Sequence, residues 1–270
     1  MIFYQNGTMW QLVKSGTYLQ YIPKVSGLQF YYPFSSIGDE KFYEKISQNY
    51  KGYYSLWKWE HQKVFEYIKK EAKILEIGCG KGFFLEKLKE KQVEATGLDF
   101  NPNAITYGKQ NNINIINETI EQHAINNENK YDVVCAFQLL EHINEANTFL
   151  EQTIKTLKKG GILAIGVPNN DSYIFRADSY HTLNTPPHHM LLWNRQSLVY
   201  LAEIFDMSVV EITTSPTTRL HKGVAYNLWL ENKLGKNIFT KIFALATRWI
   251  VKSLSFLQQG TTIVAVYKKN

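Results

Sequence analysis

From Lys73 onward, short apolar runs alternate with stretches of helical periodicity, a pattern typical of a parallel sheet with crossover helices. Seven strands are predicted, at residues 74–77, 93–98, 113–116, 133–137, 162–167, 209–213 and 262–267. Helices are predicted at residues 83–91, 104–110, 146–157 and 197–205, where Pro102 and Asn194 supply helix start signals. The pattern therefore predicts an α/β fold with seven mostly parallel strands and helices on both faces.

Two further segments flank or interrupt this core. Residues 1–60 are rich in aromatic side chains and are predicted to form an N-terminal cap, which leaves residues 61–270 as the core domain. A helical insert at about 216–259 precedes the last strand, and its residues 236–258 place apolar side chains at helical spacing with basic residues opposite. We expect this helix either to pack on the domain or to lie on an anionic membrane surface as a peripheral contact.

The charge, the longest apolar runs and the cysteines of the chain bear on its partners, its location and its metal content. The chain has 270 residues and a formal net charge of +6, but its basic residues are spread without an arginine-rich tract, which favours a solvated surface over a nucleic-acid site. It contains no apolar run of about 18 residues and no secretory pattern at the N-terminus, so a cytoplasmic location is expected, with the inner face of the membrane as an alternative. The two cysteines, Cys79 and Cys135, predict neither a disulfide framework nor a metal cluster.

The turn after the first predicted strand carries the most specific chemical signal. Glycines stand at alternate positions, Gly78, Gly80 and Gly82, directly after the strand residue Glu76. Glycine removes side chains where a backbone turn must approach a ligand closely. A dinucleotide-binding fingerprint would need its third glycine at position 83, which is Phe83 here, so a nicotinamide dinucleotide is disfavoured.

A carboxylate at the end of the second predicted strand strengthens this signal. Asp99 follows the glycines by about 20 residues, a spacing that suits hydrogen bonds from its carboxylate to a ribose diol. Phe100 beside it could lie against an adenine ring. The alternative role for Asp99 is an N-cap of the helix that starts near Pro102.

Polar residues also follow the fourth and fifth predicted strands. The fourth strand leads into Leu140-Glu141-His142, and a later loop contains Pro186-Pro187-His188-His189 and Trp193. Ligands of open α/β sheets bind at the carboxyl ends of the strands. With the glycine turn and Asp99, these motifs resemble class I S-adenosylmethionine (SAM) dependent methyltransferases. The similar group of small-molecule enzymes includes ubiquinone-biosynthesis and sugar or polysaccharide methyltransferases.

The resemblance implies a Rossmann-like sheet and SAM as the cofactor. It also implies a set of cofactor-binding residues distributed over the carboxyl ends of four strands. These are Glu76, Gly78, Cys79, Gly80, Asp99, Phe100, Asn101, Thr119, Ile120, Phe137 and Gln138.

Methyl transfer from SAM to a hydroxyl requires an aligned acceptor and a group that takes the hydroxyl proton. We expect His142 to be this base and Glu141 to orient it, or alternatively His142 to pack against the next helix. The acceptor site is expected to include His188, His189, Tyr53, Tyr54 and Trp57. No carboxylate or cysteine stands near the loop histidines in sequence, so no metal is expected there.

The expected function is transfer of a methyl group from SAM to a hydroxyl of a small molecule or of a sugar in cell-surface polysaccharide biosynthesis. One alternative is methylation of a polyprenylated phenol in quinone biosynthesis, which the basic amphipathic insert would suit. The other alternative is a non-catalytic SAM-binding module.

Overall fold

The computed structural model describes residues 2–5, 8–12, 19–22, 25–32, 57–178, 181, 184–217, 219–247 and 259–270. Its strands are β1 Ile2–Gln5, β2 Thr8–Leu12, β3 Leu19–Ile22, β4 Gln29–Tyr32, β5 Lys73–Ile77, β6 Glu94–Leu98, β7 Ile115–Ile116, β8 Tyr131–Phe137, β9 Leu157–Pro168, β10 Leu191–Leu192, β11 Met207–Thr214 and β12 Thr262–Lys269. Its helices are α1 Trp59–Phe65, α2 Phe83–Glu90, α3 Pro102–Asn111, α4 Ile120–Asn126, α5 Ala146–Thr156, α6 Tyr173–Ala177, α7 Arg195–Ile204, α8 Arg219–Leu234 and α9 Ile238–Ala246, with a 3-10 turn at Leu140–His142.

The larger sheet has seven strands in the order β11-β12-β9-β8-β5-β6-β7. Strands β9, β8, β5, β6 and β7 pair in parallel, whereas β12 is antiparallel to both of its neighbours. This architecture confirms the predicted α/β fold. Because the chain runs outward from β5 through β6 to β7 and then returns to β8 on the other side of β5, the strand order reverses between β5 and β8. Ligands bind at such a switch point in open α/β sheets.

The sheet is buried on both faces because its strands alternate in side-chain direction. In β8, Val133, Cys135 and Phe137 belong to the apolar layer that includes α1 and α2. Val134 and Ala136 belong to the opposite layer, which includes residues of α4, α5 and α7. The central strands are therefore apolar almost throughout, as their sequence predicts.

Predicted and observed boundaries differ where short polar segments continue an element. β9 begins at Leu157 rather than at residue 162, since the two lysines and two glycines after it stay in the strand, with Gly160 at φ 76°. Sequence periodicity missed α4, a seven-residue helix. Its start is a capping box in which Thr119 and Gln122 bond each other's backbone.

The described part of the N-terminal segment contributes strands to a second sheet. Strands β1, β2, β3 and β4 form an antiparallel meander, and β10 from the middle of the chain adds a fifth strand. In that addition Leu191 pairs with Phe30 and Leu192 with Gln29. The sequence predicted only an aromatic-rich cap over residues 1–60, and the predicted acceptor-site residues Tyr53 and Tyr54 lie outside the described residues.

Helices α8 and α9 lie within the segment predicted as an insert. Among the described residues, the apolar side chains of α9 remain open to solvent: Ile238, Phe239, Ile242, Phe243 and Leu245 are 49–79% exposed. The helix also contacts α8, where Tyr226 bonds Thr247 at 2.6 Å, and residues 248–258 lie outside the described ranges, so packing on the domain and contact with a membrane both stay predictions. Of the described helices, none combines the length and the apolar composition needed to cross a bilayer.

Gly97 on β6 should not tolerate a side chain. A Cβ there would lie 2.5 Å from both Cys79 Sγ and Leu85 Cδ1. We expect Gly97→Ala to lower the free energy of unfolding in urea by about 1–3 kcal/mol through overpacking. The matched control is Gly223→Ala in α8, where a Cβ meets no atom within 4 Å. It should be neutral or stabilise the protein by up to about 1 kcal/mol. Equal effects of the two substitutions would contradict the packing described.

Candidate active site

The glycine turn after β5 is tied to the end of β6. Gly78 N donates to Leu98 O at 2.8 Å, and Gly80 N donates to Asp99 Oδ2 at 2.7 Å. Gly78, Gly80 and Gly82 have φ angles of 70°, 53° and 73°, in the region that favours glycine. The turn therefore holds the Asp99 carboxylate beside the backbone that would approach a ligand.

The Cys79 side chain lies in the apolar core at this turn, where its Sγ donates to Gly80 O at 3.8 Å. This side chain is buried with Leu85, Ile113 and Ile115, and the Cys79 N–H donates to Leu98 O. Burial raises the pKa of the thiol, so it stays protonated. A cofactor contact by Cys79, predicted from the sequence, could use main-chain atoms alone.

The Asp99 carboxylate can accept further hydrogen bonds from a ligand. Its Oδ1 accepts from Asn101 N at 2.8 Å and its Oδ2 from Gly80 N, which leaves about two of its four acceptor sites for a diol. The alternative cap role belongs to Asn101 instead, whose side chain accepts from Asn103 N at the start of α3. Phe100 is 62% exposed and offers an open ring face next to Asp99.

The described contacts of Thr119 and Ile120 belong to a helix start and to the apolar core, not to the predicted adenine site. The Thr119 hydroxyl accepts from Gln122 N, and Gln122 Oε1 accepts from Thr119 N. Ile120 is 3% exposed and packs in the core. Their contacts are explained by the helix start, and their role at a cofactor stays a prediction.

Glu76 is a buried carboxyl with an unmade hydrogen bond. It is 4% exposed, and its Oε2 contacts no hydrogen-bond donor among the described residues. Burial, with the Asp99 charge nearby, raises its pKa well above the usual value. A buried unpaired carboxyl is costly, and a cation is the partner that relieves it best. SAM carries an ammonium and a sulfonium, so the residues present fit this group.

Sequence reasoning missed a second buried carboxyl beside this one. Glu60, in the first turn of α1, is 4% exposed, and its Oε1 accepts from Gln138 Nε2 at 3.3 Å. Burial raises the pKa of Glu60, while the Lys58 charge lowers the pKa values of Glu60, Glu76 and Glu141. Lys58 therefore offsets part of the cost of three buried acids. The sequence feature that could have identified Glu60 is the adjacent acid and histidine, Glu60-His61, in the segment that leads to β5.

Aromatic rings pack against one another near the carboxyl end of β8. The ring of His61 contacts Phe137 edge-on at 4.8 Å, and Trp57 stacks on Phe84 at 6.1 Å. Burial and the Lys58 charge lower the pKa of His61 to about 4, so its ring is neutral. Phe137 is thus in the packed core, and a role of the half-buried Trp57 at an acceptor stays a prediction.

Three histidines meet after β8. The 3-10 turn places His142 against the loop that precedes β10, where its Nδ1 lies 2.7 Å from His188 O. The ring centroids are 5.4 Å apart for His142 and His188 and 4.2 Å apart for His188 and His189. One ring nitrogen of each lies within 4.8 Å of those of the other two. His181 lies outside this cluster and contacts Phe175.

The same cluster contains a buried acid. Glu141 is 1% exposed, and both carboxyl oxygens lie without a hydrogen-bond donor among the described residues. Its Oε1 is 3.8 Å from His142 Nε2 and 4.0 Å from His189 Nε2. Burial raises the pKa of Glu141 to about 8 and lowers that of His142 to about 4. No carboxylate stands near His188 and His189 in sequence, but the fold brings Glu141 to them, and the expectation that no metal binds here stays a prediction.

Comparisons with known proteins agree with this geometry. A family model described as a methyltransferase domain matches residues 50–212. The ubiquinone biosynthesis O-methyltransferase of Pelagibacter ubique is 30% identical over 112 residues, which are 39% of this chain and 47% of that protein. Its counterpart in Escherichia fergusonii is 33% identical over 97 residues, 33% of this chain and 40% of that protein. The chain thus spans about half the length, or less, of these curated relatives.

Solved structures share the fold at low sequence identity. A SAM-dependent methyltransferase from Archaeoglobus fulgidus superimposes with a TM-score of 0.61 and 21% identity, covering 84% of this chain and all of that one. Coclaurine N-methyltransferase bound to N-methylheliamine and SAH gives a TM-score of 0.52 and 18% identity, covering 78% and 72%. The family model itself covers more than half of the chain. The chain therefore belongs to the methyltransferase-domain family and has the fold of class I SAM-dependent methyltransferases.

Proposed function

We propose that this protein transfers the methyl group of SAM to a hydroxyl of a small-molecule acceptor. The observation that carries the proposal is the unpaired buried carboxyl of Glu76 at the end of β5, next to Asp99 at the end of β6. Glu76 would bind the SAM ammonium, Asp99 the ribose diol, and Phe100 the adenine ring. The histidine cluster follows β8, on the other side of β5, and would face the acceptor.

SAM supplies a methyl group already activated on a positively charged sulfur. The chain has to hold the acceptor oxygen in line with the sulfur–carbon bond and to remove the hydroxyl proton as the new carbon–oxygen bond forms. A carbonyl only accepts, so His142 Nδ1 donates to His188 O and the neutral ring carries no proton on Nε2. His142 Nε2 is the atom we propose as the proton acceptor.

For the acceptor, a polyprenylated phenol is supported by two observations. The curated relatives are named ubiquinone biosynthesis O-methyltransferases. The exposed apolar side of α9 lies beside Lys233, Lys236 and Lys241, a combination suited to an anionic lipid surface that carries such an acceptor. A sugar acceptor remains the second candidate, because Trp57 could stack on a sugar ring at this edge.

Turnover on an acceptor panel tests the reaction. Purified protein should methylate phenols with polyprenyl tails or, for the second candidate, nucleotide sugars or glycans, with release of S-adenosylhomocysteine. SAM binding without turnover on either class would favour the non-catalytic module.

Asp99→Asn is expected to weaken SAM binding by about 10- to 100-fold, since a hydrogen bond to a charged group contributes about 1.5–3 kcal/mol. Calorimetric titration with SAM measures this. Asp206→Asn is the matched control, because Asp206 lies at the start of β11 and bonds Asn270. Unchanged affinity of Asp99→Asn would count against the cofactor site.

Glu76 should make SAM binding depend on pH. In the ligand-free protein burial raises its pKa, whereas a bound ammonium would lower it, so binding releases a proton and affinity rises with pH. Calorimetry from about pH 5 to pH 8, where buried carboxyls titrate, measures the released protons when each pH is run in two buffers that differ in ionisation enthalpy and both buffer at that pH. Glu76→Gln should abolish the Glu76 part of the release. Identical proton release in this variant would refute the pairing.

Substitution of two exposed residues of α9, Phe239→Ser with Leu245→Ser, should weaken binding to phosphatidylglycerol vesicles at least about tenfold. The loss follows because each buried apolar side chain contributes about 1.5–3 kcal/mol. Vesicle co-sedimentation measures it, and added salt should weaken the wild-type binding. Ile125→Ser is the control, since Ile125 is a 72% exposed apolar residue on α4. Equal loss in the control, or no wild-type binding, would remove the membrane argument.

A further inference from the structure

The histidine cluster contains hydrogen-bond acceptors that face one another. His142 Nδ1 donates to His188 O, so Nε2 of the neutral ring is an acceptor. His189 Nδ1 lies 3.4 Å from Asn184 Oδ1, and the Asn184 amide nitrogen donates to Asn170 Oδ1, which leaves Nε2 of His189 as an acceptor also. Glu141 Oε1, itself an acceptor when ionised, lies within about 4 Å of both Nε2 atoms.

These atoms are too far apart for direct hydrogen bonds but well spaced for a shared cation. The distances from Glu141 Oε1 are 3.8 Å and 4.0 Å. Ligand atoms of a tetrahedral zinc ion lie about 3.3 Å apart, given zinc–nitrogen distances of about 2.0–2.1 Å. A contraction of about half an ångström, within reach of side-chain rotation, would bring Glu141 Oε1 to that spacing from each Nε2. One ring nitrogen of each of His142, His188 and His189 already lies within 4.8 Å of those of the other two.

The hydrogen bonds around these three residues are of the kind found at protein metal sites. Metal-bound histidines usually donate their second ring nitrogen to a carbonyl or an amide oxygen, as His142 does to His188 O and His189 to Asn184 Oδ1. His188 adds a further ring nitrogen within 4.8 Å. Glu141 is 1% exposed and neither of its oxygens contacts a hydrogen-bond donor among the described residues, so neither oxygen has another described direct partner.

We infer that His142, His189 and Glu141, with His188 beside them, bind a divalent transition-metal ion such as Zn²⁺. Imidazole nitrogens with one carboxylate favour Zn²⁺, Co²⁺ or Fe²⁺ over Mg²⁺ or Ca²⁺, which prefer all-oxygen sites. Three protein ligands would leave a position for an acceptor hydroxyl. That last step rests on the proposed function, whereas binding of the ion does not.

At this position the ion would change how the acceptor loses its proton. A hydroxyl bound to a divalent cation ionises at a lower pH than a free one. The proton would then leave to solvent, and His142 Nε2 would serve as a ligand instead of the base.

Binding of Co²⁺ to tag-free, chelator-treated protein, without SAM or acceptor, tests the inference. We expect saturable binding with visible d–d absorption bands of a four- or five-coordinate site, and displacement of Co²⁺ by Zn²⁺ but not by Mg²⁺. Absence of such bands and of calorimetric binding in the wild-type protein would overturn the inference, whatever the variants do.

Variants assign the site. His142→Ala, His189→Ala and Glu141→Gln should each weaken Co²⁺ binding by about 10- to 100-fold or more. Glu141→Gln keeps the side-chain volume, so it remains informative if an alanine variant fails to fold. His123→Gln is the control, because His123 is about as buried as His189 but its ring nitrogens contact Glu118 and Tyr131 instead of this cluster. Wild-type affinity in folded Glu141→Gln would overturn the inference.

SAM binding and methyl transfer by the same protein separate this inference from the proposed function. If methyl transfer proceeds in the presence of a chelator and Co²⁺ does not bind, the cation site is wrong and the methyltransferase function stands. If Co²⁺ binds with the variant pattern above but no acceptor is methylated, the cation site stands and the proposed reaction is wrong.

Discussion

The burial of the Glu141 carboxyl, for which the described residues supply no hydrogen-bond donor, is the constraint on which the site depends. An unpaired buried polar group costs about 1–3 kcal/mol by mutational measures, against a total stability of about 5–15 kcal/mol for a domain. Glu60 and Glu76 add two more buried acids with raised pKa values at the same edge. A fold optimised for stability alone would replace these acids with apolar residues, which is often neutral or favourable. The three buried carboxyls, whose pKa values are all lowered by the charge of Lys58, therefore form a region suited to binding positive charge.

The second sheet is what brings the histidines to Glu141. β10 has two residues and cannot be stable by itself, so its position depends on pairing with β4. Tyr31 N donates to Met190 O, and Met190 N donates to Glu141 O, which joins the N-terminal sheet through the loop to the 3-10 turn. The large separation in sequence between Tyr31 and Met190 means that the acceptor side forms only when distant segments meet. The cofactor side, by contrast, is built from β5 and β6, which are consecutive in sequence and adjacent in the sheet.

This difference explains what the sequence could and could not predict. The positions of Glu76 and Asp99 were predictable because Glu76 is the next-to-last residue of β5, Asp99 directly follows β6, and parallel strands end at one edge of a sheet. The pairing of Glu141 with His189 was not, since their separation in the chain hides a contact made by long-range strand pairing. For α9, periodicity identified the helix but not its surroundings: Phe239 and Leu245 repeat at helical spacing whether a protein or a lipid covers them. Short elements such as α4 depended on a capping box at Thr119, a signal weaker than strand or helix periodicity.

The tautomer of His142 limits the chemistry that the acceptor side can perform. Because Nδ1 donates to His188 O, Nε2 is the ring nitrogen that would take a proton or bind a cation. That nitrogen can accept a proton from the acceptor or bind a cation, but it cannot do both at once. A base with a pKa of about 4 is neutral at pH 7 but accepts a proton weakly. A cation beside Glu141 would remove this weakness, since it stabilises the acceptor oxygen's negative charge directly and satisfies the buried carboxylate at the same time. The Glu141 oxygens, which contact no hydrogen-bond donor among the described residues, are therefore the feature that separates the two roles of Nε2, because a cation would satisfy them and a free base would not.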